Sequence, residues 1–502
     1  MNNTPADGKI IRHAVLLDSD ACKGCTNCIK HCPVEAIRVR KGKASITADR
    51  CIDCGVCIRV CPHKAKKADS DPLSAIDCWD YVIALPAPAL YAQFAAGIPV
   101  DSIMDALLTL GFDEVYEVAE AAEIVAAATR SLLARPDRVR PLLSASCPAV
   151  ARLVQVRFPS LLDHLAPVLA PMELAARLAK ERARAAGIQG RIGAIFLTPC
   201  PAKVTAYRSP LGHAHSEVDA AIAIKDLYLP LLGALQRQTR EGEISAQPAT
   251  QSPAAAPPAA DSLPAGSSQS PASVSPAASS THTSAPHAAL RAGAAGVAWA
   301  RSEGESDGLA AYSAIAVDGI DRVSALLEEM ENGVLADVDF IEALACPGGC
   351  IGGPLTLANP ALARTRVRSR ERERGVRTGS QASPRIGTGP ELFWTEDLEA
   401  RPSLRLHSDF RTAGAMLEEL EAIAASLPGL DCGSCGAPSC RALAEDIVRG
   451  MAAKNDCIFI LRERLRGLTR ELLELETIEP PSLDKPAPLQ PASDTRPKET
   501  NP

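Results

Sequence analysis

The sequence predicts a multidomain protein of mixed α+β and α/β class. It should comprise a small cysteine-rich module, a large two-lobed α/β domain and a small helical domain. Three observations carry this expectation. Residues 22–62 hold a doubled four-cysteine run, residues 73–405 alternate strand-like and helix-like stretches with cysteines at strand ends, and residues 432–457 hold a further four-cysteine set around a helix-like segment. At 502 residues the chain has room for about three or four domains.

Composition narrows the functional classes. The net charge is −7, aromatics are 3 % of the chain, and the basic residues are dispersed apart from one Arg-rich run, so nucleic-acid binding is not expected. No run of about 18 apolar residues occurs, so no membrane span is expected. The N-terminus, MNNTPADGKIIRHAV, has neither a charged region followed by a long apolar one nor a twin-arginine pair. The 17 cysteines come in CxxC clusters inside a long chain without an export signal. That pattern favours metal ligation in a reducing cytoplasm over a disulfide framework.

The first module, residues 10–70, contains Cys22, Cys25, Cys28 and Cys32-Pro33, then Cys51, Cys54, Cys57 and Cys61-Pro62. Both halves read C-x2-C-x2-C-x3-C-P, and Asp20 and Asp49 precede their first cysteines at the same offset, which marks an internal duplication. A zinc ribbon does not explain the doubled eight-cysteine pattern. The spacing resembles the bacterial two-cluster ferredoxin, in which the fourth cysteine of each run ligates the other cluster. One [4Fe–4S] cluster would then take Cys22, Cys25, Cys28 and Cys61, and the other Cys51, Cys54, Cys57 and Cys32. Such a module transfers electrons.

From Leu73 the texture changes. DYVIALPAPAL reads as a buried strand ending at prolines, and DSIMDALLTLG as a helix with Asp101 at its N-cap and Gly111 as its stop. FDEVYEVA reads as a strand, EAAEIVAAATRSLLA as a helix, and RVRPLLSASCPAV and GRIGAIFLTPCPAK as strands ending at Cys147 and Cys200. Ligand sites in open α/β sheets gather at strand ends. Residues 244–290, rich in Ala, Pro and Ser, cannot bury enough apolar surface to offset their ordering entropy and read as a disordered insertion. IDRVSALLEEMENGVLADVDFIEALAC then reads as a helix and a strand-like approach to Cys346. The stretch EALACPGGCIGGP places Cys346 and Cys350 among glycines, which let backbone approach a bulky group closely. With Cys147 and Cys200 they make a set of four thiolates, the number that holds a [4Fe–4S] cluster.

Next comes RTRVRSRERERGVR, with seven arginines from Arg364 to Arg377, which reads as a solvated helix or loop. SDFRTAGAMLEELEAIAASLPG reads as a helix capped by Ser408 and stopped at Pro428. In the domain 408–460, Cys432, Cys435, Cys440 and Cys457 form the last set, for which structural zinc and an iron–sulfur cluster both suit four thiolates. Leu461, Leu465, Leu468, Leu472 and Leu475 form a short heptad seam within 461–477. It offers either a surface for a homodimer or signalling partner, or a face packed on its own domain. The Pro-rich tail 478–502 reads as disordered. Only Cys78 stands outside the four sets, and a small buried hydrophobe is the role it suggests.

Residues 10–460 resemble an [FeFe]-hydrogenase large subunit, specifically sensory-type members with an N-terminal ferredoxin and a trailing CxxCGxxxC cluster domain. SASCPAV, TPCPAK and EALACPGGCIGG carry the resemblance, with EVDAAIAIKDL after the second, and CGSCGAPSCRALAEDIVRGMAAKNDC matches the last domain. The resemblance implies two [4Fe–4S] clusters in the first module, one in the last, and an H-cluster. In the H-cluster Cys147, Cys200, Cys346 and Cys350 would bind the cubane. Cys350 would bridge to a di-iron subcluster bearing CO, CN⁻ and azadithiolate, and Lys203 would contact its cyanide. The implied reaction is 2 H⁺ + 2 e⁻ ⇌ H₂, served by hydrogenase maturation factors and an external redox protein such as a ferredoxin.

The chain also departs from that pattern. Ser146 stands where a proton-relaying cysteine is usual, Val150 where a bulky aromatic often follows, Thr198 for a methionine and Ala206 for a glutamate. The helix EIVAAATRSLL offers alanines and a threonine where efficient members carry relay glutamates. A hydroxyl is a far poorer proton relay than a thiol. Low turnover, suited to sensing H₂ or redox state, is therefore the expectation. The alternatives are a non-catalytic electron-transfer or regulatory iron–sulfur protein lacking the di-iron unit, and an electron-transfer subunit of an unrelated partner.

Overall fold

The structure is a computed structural model that describes residues 11–245, 292–375, 389–401, 403 and 405–478. Two compact units result, Met1–Arg405 and Leu406–Pro502. The Ala/Pro/Ser stretch 244–290, apart from its first two residues, and the tail beyond Ile478 lie outside the described residues.

The cysteine-rich module is a pseudo-symmetric pair of halves. Strands β1 (Val15–Leu17), β2 (Ile37–Arg40), β3 (Lys43–Ile46) and β4 (Lys66–Ala68) form two antiparallel pairs, β1 with β4 and β2 with β3. Short helices α1 (Asn27–Lys30) and α2 (Val56–Val60) follow the second cysteine of each run. The duplication recurs in the backbone: left-handed residues Gly24 and Asp53, and Glu35 and Lys64, occupy equivalent places.

The large domain is built on two parallel sheets. One has the order β6-β5-β8-β9, with β5 (Tyr81–Pro86), β6 (Glu114–Val115), β8 (Ile192–Thr198) and β9 (Ala220–Ala223). The other has the order β10-β11-β7, with β7 (Leu142–Leu143), β10 (Ala314–Asp318) and β11 (Phe340–Leu344). Strands β5, β8 and β11 are buried on both faces, and accordingly read as continuous apolar runs. Helices α3 (Val100–Leu108), α4 (Val118–Leu133), α5 (Pro148–Arg157), α6 (Pro171–Ala185), α7 (Pro201–Arg208), α8 (Ile224–Ser245), α9 (Ala294–Ala298), α10 (Ile320–Glu331) and α11 (Pro360–Arg374) cover them. The strands expected around Val115 and before Cys147 shrink to two residues each. The cap of α3 is Pro99, and Asp101 lies in its first turn, where its carboxylate still faces the positive end of the helix.

The arginine-rich run is not a solvated face. It forms α11, and Arg370, with 0 % of its surface exposed, donates to the Ala95 and Ala96 carbonyls at 2.9 and 3.1 Å. Arg366 likewise donates to the carbonyls of Ala92 and Gln93, and Arg374 pairs with buried Glu117 at 3.2 Å. Arg366 and Arg370 tie α11 to the turn after β5, and Arg374 ties it to the start of α4. Cys78, expected to be buried, is exposed.

In the second unit α12 (Phe410–Ser426) packs on α13 (Cys440–Val448) through Leu420, Ile423, Leu443 and Ala444. The cap of α12 is Asp409, not Ser408: its Oδ2 accepts from Thr412 N at 2.8 Å. Helix α14 (Ile458–Glu476) buries no residue, and its seam leucines Leu465, Leu468 and Leu472 are 53, 47 and 63 % exposed. The face is therefore not packed on its own domain.

Candidate metal centre

Two of the four cysteines expected to share a cubane are placed by the same local device. Cys147 is the N-cap of α5 with Pro148 at the first helical position, and Cys200 is the N-cap of α7 with Pro201 there. Proline is pre-set for the first helical turn and has no N–H to leave unpaired, while the helix N-terminus favours a thiolate beside it. The two helices follow strands of different sheets, α5 after β7 and α7 after β8, and each opens with a Cys-Pro whose cysteine is the cap.

Cys346 and Cys350 follow β11 in a loop stitched to its surroundings by backbone hydrogen bonds. Ile351 N donates to Ala300 O at 2.9 Å, Ser302 N to Gly348 O at 3.0 Å, and Leu355 N to Pro199 O at 2.9 Å. Gly349 is required here: its φ is +89°, and a Cβ would lie 2.6 Å from Ser302 N.

The four sulfurs lie within electrostatic reach of one another. Burial, then the neighbouring Cys350 and Cys147, push the Cys200 thiol up to about 12, with Lys203 opposing. Burial, then Cys200, raise Cys346 well beyond the ordinary thiol range, with Cys147 and Cys350 adding to the effect. Cys200 and Cys346, thiols that resist ionisation alone but can be deprotonated by a cation, lie grouped with Cys147 and Cys350, a donor set that suits a thiolate-bound metal cluster. The Lys203 ammonium, in the first turn of α7, lies 3.5 Å from Cys350 Sγ. Burial by itself would lower the Lys203 pKa, but Cys350, Cys200 and Cys147 outweigh it and hold the ammonium charged.

In the first module Cys54 is raised by burial and then by Cys32, Cys57 and Cys51, whereas Cys28 is raised by burial and by Cys25, Cys22 and Cys61. Ala36 N donates to Cys32 Sγ at 3.2 Å and Ala65 N to Cys61 Sγ at 3.3 Å, the same bond in each half. The site of Cys51, Cys54 and Cys32 opens onto a buried apolar cluster that also contains Val150, Ala202, Cys147 and Cys200. Gly55 seats it: an added Cβ would lie 2.6 Å from Pro354 Cγ and 2.9 Å from Pro201 Cγ. Arg59 Nη2 donates to Gly352 O at 2.6 Å. In the second unit Cys440 opens α13 behind the Ser439 cap, its N–H donates to Asp431 Oδ1 at 2.6 Å, and Cys457 caps α14.

Ser146 points to groups that sequence reasoning missed. Its Oγ donates to Glu305 Oε2 at 3.3 Å, and Ser144 Oγ donates to the same oxygen at 2.6 Å. Burial, then the nearby Glu342, push Glu305 up to about 8, against the hydrogen bonds of Ser144 and Ser146. Glu342 is itself raised by burial. Its signal was present in the sequence, as a lone carboxylate inside the apolar strand FIEAL. Glu305, in a Ser/Gly-rich loop, carries no comparable local signal.

Comparison with known proteins finds matches to three families. Residues 80–354, just over half of the chain, match the family described as iron only hydrogenase large subunit, C-terminal domain. Residues 14–62 match the 4Fe-4S dicluster domain, and residues 427–459 an Fe-S cluster family. No curated protein matches. Among solved structures, the [FeFe]-hydrogenase HydA(deltaEFG) is similar at 18 % identity over 64 % of this chain and 95 % of its own, with a TM-score of 0.43. A variant of HydA1 from Chlamydomonas reinhardtii is similar at 16 % identity over the same shares, also with a TM-score of 0.43.

Proposed function

This chain belongs to the iron-only hydrogenase large-subunit family, and from that premise we propose that it interconverts protons and H₂ slowly at an H-cluster, as a sensor of H₂ or redox state. The observation that carries the reading is the Lys203 ammonium 3.5 Å from Cys350 Sγ, inside a set completed by Cys147, Cys200 and Cys346. A plain cubane needs four thiolates and no ammonium. A di-iron unit with cyanide ligands would give that ammonium a polarised anionic partner in addition to the sulfurs already around it.

When bound, the H-cluster supplies the metal chemistry of H–H bond making and breaking; the chain supplies everything around it. Cys147, Cys200, Cys346 and Cys350 would hold the cubane from two helix caps and the glycine loop, with Cys350 also holding the di-iron unit. Lys203 would orient and neutralise the outer group. Buried Val150, Thr198 and Ala206 exclude water from the surrounding wall. The sulfurs of Cys51, Cys54, Cys57 and Cys32 would hold the cluster next inward from the entry point, behind the apolar contact of Gly55 with Pro354 and Pro201. Electrons would enter through the cluster of Cys22, Cys25, Cys28 and Cys61 from a separate redox protein such as a ferredoxin. A third accessory cluster would sit on Cys432, Cys435, Cys440 and Cys457. Such a chain would work in the cytoplasm, where thiols stay reduced and maturation factors are available.

Infrared spectroscopy of protein matured with hydrogenase assembly factors tests this. CO and CN⁻ stretching bands with about 18 irons per chain are expected, from four cubanes and a di-iron unit. Absence of the bands with about 16 irons identifies the protein instead as a non-catalytic electron-transfer or regulatory iron–sulfur protein.

A further inference from the structure

The exposed helix α14 is charged against its own dipole. Residues 458–470 carry four arginines and one glutamate, and residues 471–476 carry three glutamates and no basic residue. A helix is positive at its N-terminus and negative at its C-terminus, so this order opposes the macrodipole and costs an isolated helix stability. A second copy running the other way would lay its acidic half along the basic half of the first, and so offset that cost.

The apolar face has the period for such a pairing. Ile458, Leu461, Leu465, Leu468, Leu472 and Leu475 are spaced 3-4-3-4-3. Ile458, Leu465 and Leu472 then take the a positions of three heptads, and Leu461, Leu468 and Leu475 the d positions. All six are exposed in one copy, from 39 % at Ile458 to 63 % at Leu475. Flanking them are Arg462, Thr469 and Glu476 at e, and Arg464 and Glu471 at g.

These flanking charges choose the direction. A parallel pair sets each g residue against the following e residue of the other helix, which brings Glu471 against Glu476 and gives Arg464 only Thr469. An antiparallel pair sets e against e and g against g. The register that seats Leu465 on Leu468 of the second copy also seats Ile458 on Leu475 and Leu461 on Leu472, so every layer is filled. The same register places Arg464 against Glu471 and Arg462 against Glu476, each twice by symmetry. Within one copy Arg464 Nη1 reaches Asn455 Oδ1 at 3.4 Å, a long exposed contact that this pairing would replace.

We propose that α14 joins two copies of this chain as an antiparallel two-stranded coiled coil, in the register Leu465 on Leu468. The interface is isologous and closed, with its two-fold axis through the middle of the helix. Cys457 caps the N-terminus of α14, so the two last cysteine sets stand at opposite ends of the coil. The pairing uses none of the cluster sulfurs and stands apart from the H-cluster reading.

Sedimentation equilibrium of the full chain tests this, with iron content as the check on folding. Native protein should show the mass of two chains and dissociate on dilution. Leu468→Glu should raise the dissociation constant about 10²-fold or more, because it removes both central layers. Arg464→Glu and Glu471→Arg should each raise it about tenfold, because each turns two attractive pairs into repulsive ones. An equimolar mixture of those two variants should regain native affinity as a mixed dimer, and so should the double variant. A native mass of one chain even at about 100 μM overturns the proposal and leaves this face to a different protein. A dimer indifferent to Leu468→Glu overturns it by placing the interface elsewhere. A dimer tightened by Glu471→Arg overturns the antiparallel order, since that change relieves Glu471 against Glu476 in a parallel pair.

Discussion

Lys203 Nζ lies 3.5 Å from Cys350 Sγ, although the two residues belong to different elements, the first turn of α7 and the loop after β11. A charge-assisted contact of this kind contributes about 1.5–3 kcal/mol, or roughly ten- to a hundredfold in retention of an anionic partner. Lys203→Met should therefore leave the four cubanes in place but cut the fraction of chains showing CO and CN⁻ bands when maturation factors are limiting. Bands of native intensity in that variant would remove the role assigned to Lys203.

Gly55 is the contact between the first module and the cluster loop. Its φ is +72°, and a side chain would drive into Pro354 and Pro201. Gly55→Ala should cost about 1–3 kcal/mol and slow dye-coupled H₂ oxidation at unchanged iron content. Chemical denaturation and rate measurements check both effects, and a variant equal to native in each would mean the two parts are not coupled here.

Arg370→Ala tests the inward-facing arginines. The substitution leaves the carbonyls of Ala95 and Ala96 without their buried donor, at about 1–3 kcal/mol apiece. A loss on the order of 2–5 kcal/mol in denaturant is expected, against under about 0.5 kcal/mol for an exposed arginine.

Glu305 makes stability depend on pH. Its folded pKa of about 8 lies above its ordinary value of 4.5, so the folded chain holds a proton that the unfolded chain releases. Stability contributed by this group is full below about pH 4.5 and is lost as pH rises towards 8. Glu305→Gln should then be more stable than native at pH 8 by on the order of a few kcal/mol, with the difference vanishing near pH 4. A constant difference across that range would show that Glu305 is ionised in the folded protein.

Much of the fold was legible because its signals are local. The doubled cysteine run, the apolar strands β5 and β8, and the amphipathic helices α4 and α10 each lie within one short window. Other features misled. The arginine run looks like a solvated face because charge alternates along it, and only packing shows that α11 sends Arg366, Arg370 and Arg374 inward to carbonyls and to Glu117. Cys78 was expected inside on residue type, yet lies at the surface beside the start of β5. Asp409 and Ser408 are both competent caps, and the turn geometry chose Asp409.

The sequence by itself determined the donor chemistry: four sets of four cysteines, their Cys-Pro placements, and Lys203 one turn from Cys200. These are matters of residue type and short spacing, and a thiolate site cannot be built from anything else. Tertiary structure alone decided which carboxyl group stands beside Ser146. Which of the chain's 60 acidic residues is stripped of water and turned towards Ser146 depends on loops meeting across 159 positions of sequence. Desolvation is set by everything packed around a group, and no local pattern encodes it. The sulfur donors of this site can be read along the chain, whereas the carboxyl group beside them becomes their neighbour only once the chain is folded.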